Sequence, residues 1–133
     1  MKTLNEWDSK LRLGDLLPRP VEIQATSRIQ AEQFATTIKG PLVAKASGVA
    51  HKTEGGLVRL GLTAAEIGDV WDELAAAGDG TVLLAEQINA ELELIVGGYR
   101  DAGFGPLVTI GIGGIAAEIF HDVVTSGPKP ASR

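Results

Sequence analysis

Two stretches of this chain carry the start signal of a helix, and each lies between short runs of β-forming residues. Ser27 is followed three residues later by Gln30, and Thr63 by Glu66. At that spacing a hydroxyl and a following Gln or Glu cap each other's free backbone N–H groups. Behind Ser27, apolar Ala31, Phe34, Ala35 and Ile38 recur at helical spacing until Gly40-Pro41; behind Thr63, Ile67, Val70, Trp71 and Leu74 form one stripe that Gly78 stops. Val21-Glu22-Ile23, Leu42 to Ala46, Leu57 to Gly61 and Thr81 to Ala85 read as strands. Strand, helix, strand, helix, strand in that order implies an α/β layer, because each helix stripe needs a sheet face to bury against.

The ends of the chain read differently. Leu4, Trp7, Leu11 and Leu13 predict a short amphipathic helix, broken by Gly14, Pro18 and Pro20. From Glu91 onward two strand-like runs, Glu93 to Gly98 and Pro106 to Ile112, flank the polar turn Tyr99 to Gly103 and suggest a hairpin that opens a second subdomain. Ile115 to Val124 fits a helix or a strand, and Thr125 to Arg133, without an apolar anchor, is expected to be mobile. The expected organisation is therefore a helical segment over 1–19, a first subdomain over 20–88, a second over 89–124 and a tail over 125–133.

Composition narrows the function classes. In 133 residues, 12 Lys and Arg face 17 Asp and Glu, a formal net charge of −5 that argues against a nucleic-acid partner, since no basic stripe could displace counterions from a phosphate backbone. No apolar run approaches the roughly 20 residues of a membrane helix, so no membrane partner is expected. Without cysteine, thiolate catalysis and cysteine metal cages are excluded. Nothing in Met1 to Gly14 resembles a signal peptide, which makes the cytoplasm the expected compartment.

The chemistry concentrates around Lys45. It closes an apolar strand and leads into Ser47 to Gly56, a loop containing Gly48, His51, Lys52, Thr53, Gly55 and Gly56. Backbone N–H groups of a glycine-rich loop can lie against phosphate oxygens while lysines neutralise their charge. A lysine snorkelling from a strand end beside an empty glycine-rich hairpin tip would look the same. Neither the G-x-x-x-x-G-K-[ST] nor the G-x-G-x-x-G pattern is present.

The run Lys45-Ala46-Ser47-Gly48-Val49-Ala50-His51-Lys52-Thr53-Glu54-Gly55-Gly56-Leu57-Val58-Arg59-Leu60-Gly61-Leu62 closely resembles the ATP-grasp domain of ADP-forming acyl-CoA synthetases, relatives of succinyl-CoA synthetase. Glu93 to Gly97 with Arg100-Asp101, Phe104-Gly105-Pro106 and Gly111 to Gly114 is similar to that family's second signature, and Glu6-Trp7-Asp8-Ser9-Lys10 to its first helix. The resemblance runs from Leu4 to Val124. It implies an α/β ATP-grasp fold with a complete first and a truncated second subdomain, and ATP or ADP as ligand. Lys45 then matches the lysine that grips nucleotide phosphates, and Ser47, Gly48, Lys52, Thr53, Gly55 and Gly56 the loop that closes over them. Glu86-Gln87-Ile88 matches the hinge that meets the adenine and sugar, Glu93 belongs to the second signature, and Arg100 stands where relatives carry a basic residue facing the phosphates. In this family phosphate passes from an acyl phosphate through a phosphorylated histidine to ADP, which makes His51 a candidate relay residue.

The resemblance also implies Mg²⁺, held in the family by an acidic-Ile-Asn-Pro strand and a following Asp-containing strand; neither is present in this chain, so no metal ligand is assigned. His121 is read as a surface residue, and Glu118 and Asp122 as exposed acids rather than a metal pair. After Val124 the chain leaves the family pattern. Two functions are compatible: the nucleotide-binding portion of an acyl-CoA ligase, needing a CoA-binding synthetase domain or subunit as partner, and a non-catalytic nucleotide-binding or interaction module like the synthetase-like region of a protein acetyltransferase.

Overall fold

A computed structural model describes residues 4–49 and 56–113 and the backbone of 123–126. The chain divides into two compact units, Met1–Ile88 and Asn89–Arg133.

In the first unit, β1 (Glu22–Ala25), β2 (Leu42–Ala46), β3 (Val58–Leu62) and β4 (Val82–Glu86) form one sheet in the order β1-β4-β2-β3, with every neighbour antiparallel. α2 (Arg28–Thr37) connects β1 to β2, and α3 (Ile67–Ala77), entered through a 3-10 turn at Ala64–Glu66, returns the chain from the edge strand β3 to β4 near the centre. The register sorts the central strands into two faces. Ala25, Leu42, Ala44, Ala46, Val82 and Leu84 share one face with Ala31 and Ala35 of α2 and Ile67 and Leu74 of α3, and this is the apolar core. Gln24, Leu83 and Lys45 stand side by side on the opposite face.

The helix starts are built as the sequence implies, with one difference. The Glu66 carboxylate accepts from Thr63 N and Thr63 Oγ1 at 2.8 and 2.7 Å, and these bonds hold its pKa below the ordinary carboxylate range. At α2 the Ser27 hydroxyl accepts from Gln30 N at 3.3 Å, but Gln30 Oε1 accepts from Thr26 N at 2.8 Å instead of returning to Ser27. α1 (Glu6–Leu13) forms where its spacing predicts, yet it buries no residue, and Leu11 and Leu13 remain 54% and 45% exposed. Ion pairs from Glu6 to Lys45 and from Lys10 to Glu22 tie this helix to the sheet.

In the second unit β5 (Leu94–Asp101), β6 (Gly105–Ile112) and β7 (Val123–Ser126) form an antiparallel sheet in chain order. The strands run further into the hairpin than the polar residues suggest. Tyr99, Arg100 and Asp101 all belong to β5, and the turn closes on Asp101 Oδ1, which accepts from Gly103 N at 2.8 Å and Phe104 N at 2.9 Å; those N–H groups hold the Asp101 pKa low. The expected mobile tail is corrected at its start. Thr125 and Ser126 are strand residues paired with Thr109 and Val108, because the outer edge of β6 offers a row of backbone donors and acceptors that bind any extended segment whatever its side chains. Residues 127–133, and the helix-or-strand reading of 115–122, lie outside the described residues. Val96, Val108 and Ile110 share one face of this sheet and are 66%, 49% and 50% exposed.

Two leucines of the first unit test where its stability resides. Leu84, fully buried at the sheet centre, should cost about 2–5 kcal/mol when cut to alanine, whereas Leu60→Ala, at a side chain 66% exposed, should stay within about 0.5 kcal/mol of the parent. Urea unfolding with an unchanged slope and a shifted midpoint for Leu84→Ala alone is the expected result.

Candidate functional site

Lys45 is the one charged position in β2, and the register puts it on the face away from α2 and α3. Its stem crosses apolar sheet between Leu83 and Val58, and its ammonium needs a counter-charge where water reaches it only in part. That counter-charge is Glu6 of α1: Lys45 Nζ donates to Glu6 Oε1 at 2.9 Å, and Lys10 Nζ lies 3.0 Å from the same oxygen. Lys10 also donates to Glu22 Oε2 at 2.7 Å, Arg19 Nε to Glu22 Oε1 at 2.8 Å, and the Arg19 guanidinium sits 5.2 Å from the centre of the Trp7 ring. The Glu22 side chain is only 2% exposed, so both its oxygens hold cations out of water. Alternating charges thus run from Lys45 through Glu6, Lys10 and Glu22 to Arg19, and they fasten α1 to the sheet.

Burial raises the Glu6 pKa, but hydrogen bonds and charge from Lys45 and Lys10 outweigh it and leave the carboxyl below its ordinary value. Burial likewise lowers that of Lys10, and Glu22 and Glu6 together lift it above the usual ammonium value.

Beyond Lys45 the root of the glycine loop is locked in place. Ser47 N donates to Thr81 O at 3.2 Å and Ser47 O accepts from Asp79 N at 3.0 Å, and the residue is 2% exposed. The backbone N–H of Ser47 is therefore committed to Thr81, just ahead of β4, which ties down the start of the loop. Gly48 follows with φ +76, and a Cβ there would lie 2.7 Å from Asp79 Cβ. Asp79 cannot swing away freely, since its Oδ1 accepts from Thr81 N and Thr81 Oγ1 at 3.0 and 2.7 Å. Gly78 makes room from the other side: a Cβ on it would come within 2.5 Å of the Ser47 carbonyl oxygen. Gly56, with φ +64, ends the loop as the chain enters β3. His51, Lys52, Thr53 and Gly55 lie outside the described residues.

Glu86, Gln87 and Ile88 stand at the far end of β4. Glu86 N donates to Val21 O at 2.9 Å and Glu86 Oε1 accepts from Val21 N at 2.8 Å; Gln87 N donates to Pro41 O at 2.9 Å, and Gln87 Oε1 accepts from Gly61 N at 2.6 Å. The backbone donors of the first two residues are thus used within the unit, and Ile88 is 62% exposed. Since Lys45 pairs with Leu83 and Leu42 with Glu86, three residue steps along the strands separate the lysine from this segment, about 10 Å along the sheet. Glu93 and Arg100 belong to the second unit, where Glu93 O accepts from Gly113 N at 2.8 Å and Arg100, opposite Pro106 in β5, is exposed. Among the described residues no group of three or more His, Asp or Glu side chains could hold a metal ion, and no helix is long and apolar enough to cross a membrane.

Sequence reading missed Glu6, Glu22 and Asp79. Glu6 and Lys10 carried a visible signal, opposite charges at i, i+4 spacing. That Lys45 and Glu22 would meet this pair across 39 and 12 residues had no local signal.

The model of a family described as ATP-grasp domain matches residues 2–132. The chain is 32% identical over 118 residues to a 4-hydroxybutyrate–CoA ligase (ADP-forming) of Nitrosopumilus maritimus, covering 80% of this chain and 17% of that protein. It is 31% identical over 104 residues to acetate–CoA ligase (ADP-forming) I of Archaeoglobus fulgidus, covering 71% and 15%. Among solved structures it superposes with a TM-score of 0.80 and 29% identity on the dinucleotide-forming acetyl-coenzyme A synthetase 1 of Ca. Korarchaeum cryptofilum in complex with coenzyme A, Ca-AMPCP and HgCl+, over 93% of this chain and 59% of that one. The chain therefore spans about a sixth of the curated relatives' length.

The charge ladder gives a pH dependence of definite sign. Glu6 is depressed, so its contribution is complete above its ordinary value of 4.5 and is lost as the pH falls below that through the depressed value. Lys10 is raised, so its contribution is complete below 10.5 and is lost as the pH rises through the raised value. Trp7 fluorescence, read in a Trp71→Phe background, should report release of α1 in these two windows and a plateau between them. At the loop root, Gly48→Ala should cost about 1–3 kcal/mol in thermal or urea unfolding through its positive φ and its clash with Asp79, whereas Gly40→Ala, in open space, should cost less than about 0.5 kcal/mol.

Proposed function

Because the chain belongs to the ATP-grasp domain family, matched over residues 2–132, we propose that it is the ATP- or ADP-binding portion of an ADP-forming acyl-CoA synthetase. The complete reaction is acid + CoA + ATP giving acyl-CoA + ADP + phosphate, and a CoA-binding synthetase domain or subunit is the partner it requires. The single observation that carries this reading is the placement of Lys45, a partly exposed ammonium on the sheet face away from α2 and α3, with Gly48 three residues on and Glu86 to Ile88 about 10 Å along the sheet. That separation suits a ligand with phosphates at one end and a base at the other.

In this reading the Lys45 ammonium binds a phosphate oxygen and offsets the negative charge that accumulates there, a mobile point charge where an arginine fork would impose its own geometry. Ser47, held by Thr81 and Asp79, keeps the start of the glycine loop at a constant distance from that ammonium. Ile88 offers the exposed end of the hinge to the base. His51 is the proposed acceptor for a phosphoryl group, and Lys52, Thr53, Gly55 and Gly56 complete the loop. Magnesium accompanies nucleotides in this chemistry, but the described residues bring no set of hard oxygen donors together, so no step is assigned to it.

Titration calorimetry with ATP and ADP tests the proposal. Lys45→Ala should weaken binding by about 1–3 kcal/mol, the scale of a charge-assisted contact. Unchanged affinity in the variant would remove Lys45 from the site, and absence of binding at millimolar nucleotide would remove the nucleotide reading of this chain.

A further inference from the structure

Lys45 does not wait unpaired: its ammonium is held by Glu6 at 2.9 Å. The partners around that contact are not equivalent. If Lys45 turns away, Glu6 keeps Lys10 at 3.0 Å, and the nearly buried Glu22 keeps both Lys10 and Arg19. No carboxylate of the ladder is then left without a cation, which is the outcome that makes breaking a buried pair costly. Lys45 is the terminal member of the ladder, and its side chain and that of Glu6, 31% and 28% exposed, are open enough for an incoming anion to reach. Among the described residues, three cations and two carboxylates leave the ladder one positive charge in excess, and that excess becomes available when Lys45 is released.

We propose that Glu6 is a built-in competitor for the anion that Lys45 binds, so that docking of α1 and capture of a polyphosphate at Lys45 oppose each other. The inference rests on the nucleotide reading of Lys45 and adds to it a regulatory contact. An anion reaching Lys45 displaces the Glu6 carboxylate and removes one of the ties between α1 and the sheet. By linkage, whatever fastens Glu6 to Lys45 more firmly weakens anion binding by the same factor. Lys10 sets the balance: it shares the Glu6 oxygen with Lys45, so its presence dilutes the hold of Glu6 on Lys45.

The test is calorimetric titration with two probes, ATP and inorganic tripolyphosphate, on the full chain and four variants. Glu6→Gln keeps the shape and removes the charge, and should tighten both probes roughly two- to fivefold, the scale of a partly exposed ion pair. Lys10→Met should weaken both by a similar factor, because a cation that shares the Glu6 oxygen with Lys45 is then gone. In Lys45→Ala and Glu6→Gln/Lys45→Ala the affinities should be equal, the effect of Glu6 having vanished with its target. Hydrogen exchange at the amides of Glu6–Leu13 should quicken when tripolyphosphate binds the parent chain and should not respond to it in Lys45→Ala. A Glu6→Gln variant that binds no tighter than the parent, while Lys45→Ala still binds more weakly, overturns the competition and leaves the nucleotide reading standing. A Lys45→Ala variant that binds as tightly as the parent overturns both.

Discussion

An amine on a central strand needs a counter-charge, and much of the first unit is arranged around supplying one to Lys45. β2 and β4 lie inside the four-stranded sheet, so both their faces are covered or must find partners. One face is closed by α2 and α3 against alanines, leucines and valines. The other carries Lys45, and the answer to its charge comes from the start of the chain. Glu6 reaches the ammonium, Lys10 bridges Glu6 to Glu22, and Arg19 completes the run over Trp7. α1 has no buried apolar residue, and this ladder ties it to the sheet.

A second constraint acts at the end of β2. The chain there must leave the sheet, pass the α3–β4 turn at close range and open into a glycine-rich loop. Ser47 accepts a backbone hydrogen bond from Asp79 and donates one to Thr81, Gly78 and Gly48 remove the Cβ atoms that would collide, and Thr81 holds the Asp79 carboxylate still. Rigidity is thereby placed at the root of the loop, next to the lysine whose reach depends on it. The second unit rests on a different economy: backbone pairing across β5, β6 and β7 provides its regular order, while Val96, Val108 and Ile110 stay exposed on one face.

Much of this architecture was legible in the residues. Local signals act within a few positions of each other, so Thr63 with Glu66, the stripe from Ile67 to Leu74, and the alternation of apolar strands with helices all announced elements that formed, and the ATP-grasp resemblance of Lys45 to Leu62 is matched by the family model over 2–132. Less was legible where partners come from afar. Polar Tyr99, Arg100 and Asp101 read as turn but extend β5, because strand pairing recruits backbone regardless of side chain. Thr125 and Ser126 read as tail but pair with β6 for the same reason.

By itself, then, the sequence determined the α/β class, the helix starts, the lysine at the end of an apolar strand and the glycines beyond it, because capping, periodicity and positive φ are properties of neighbouring residues. Only the tertiary structure decided the all-antiparallel strand order, the face on which Lys45 stands, and its partner. Which carboxylate meets a given ammonium depends on how β1, β4 and β2 align in register and where α1 is laid across them, and that is settled by burying the opposite face of the sheet, not by anything encoded within reach of Lys45 along the chain.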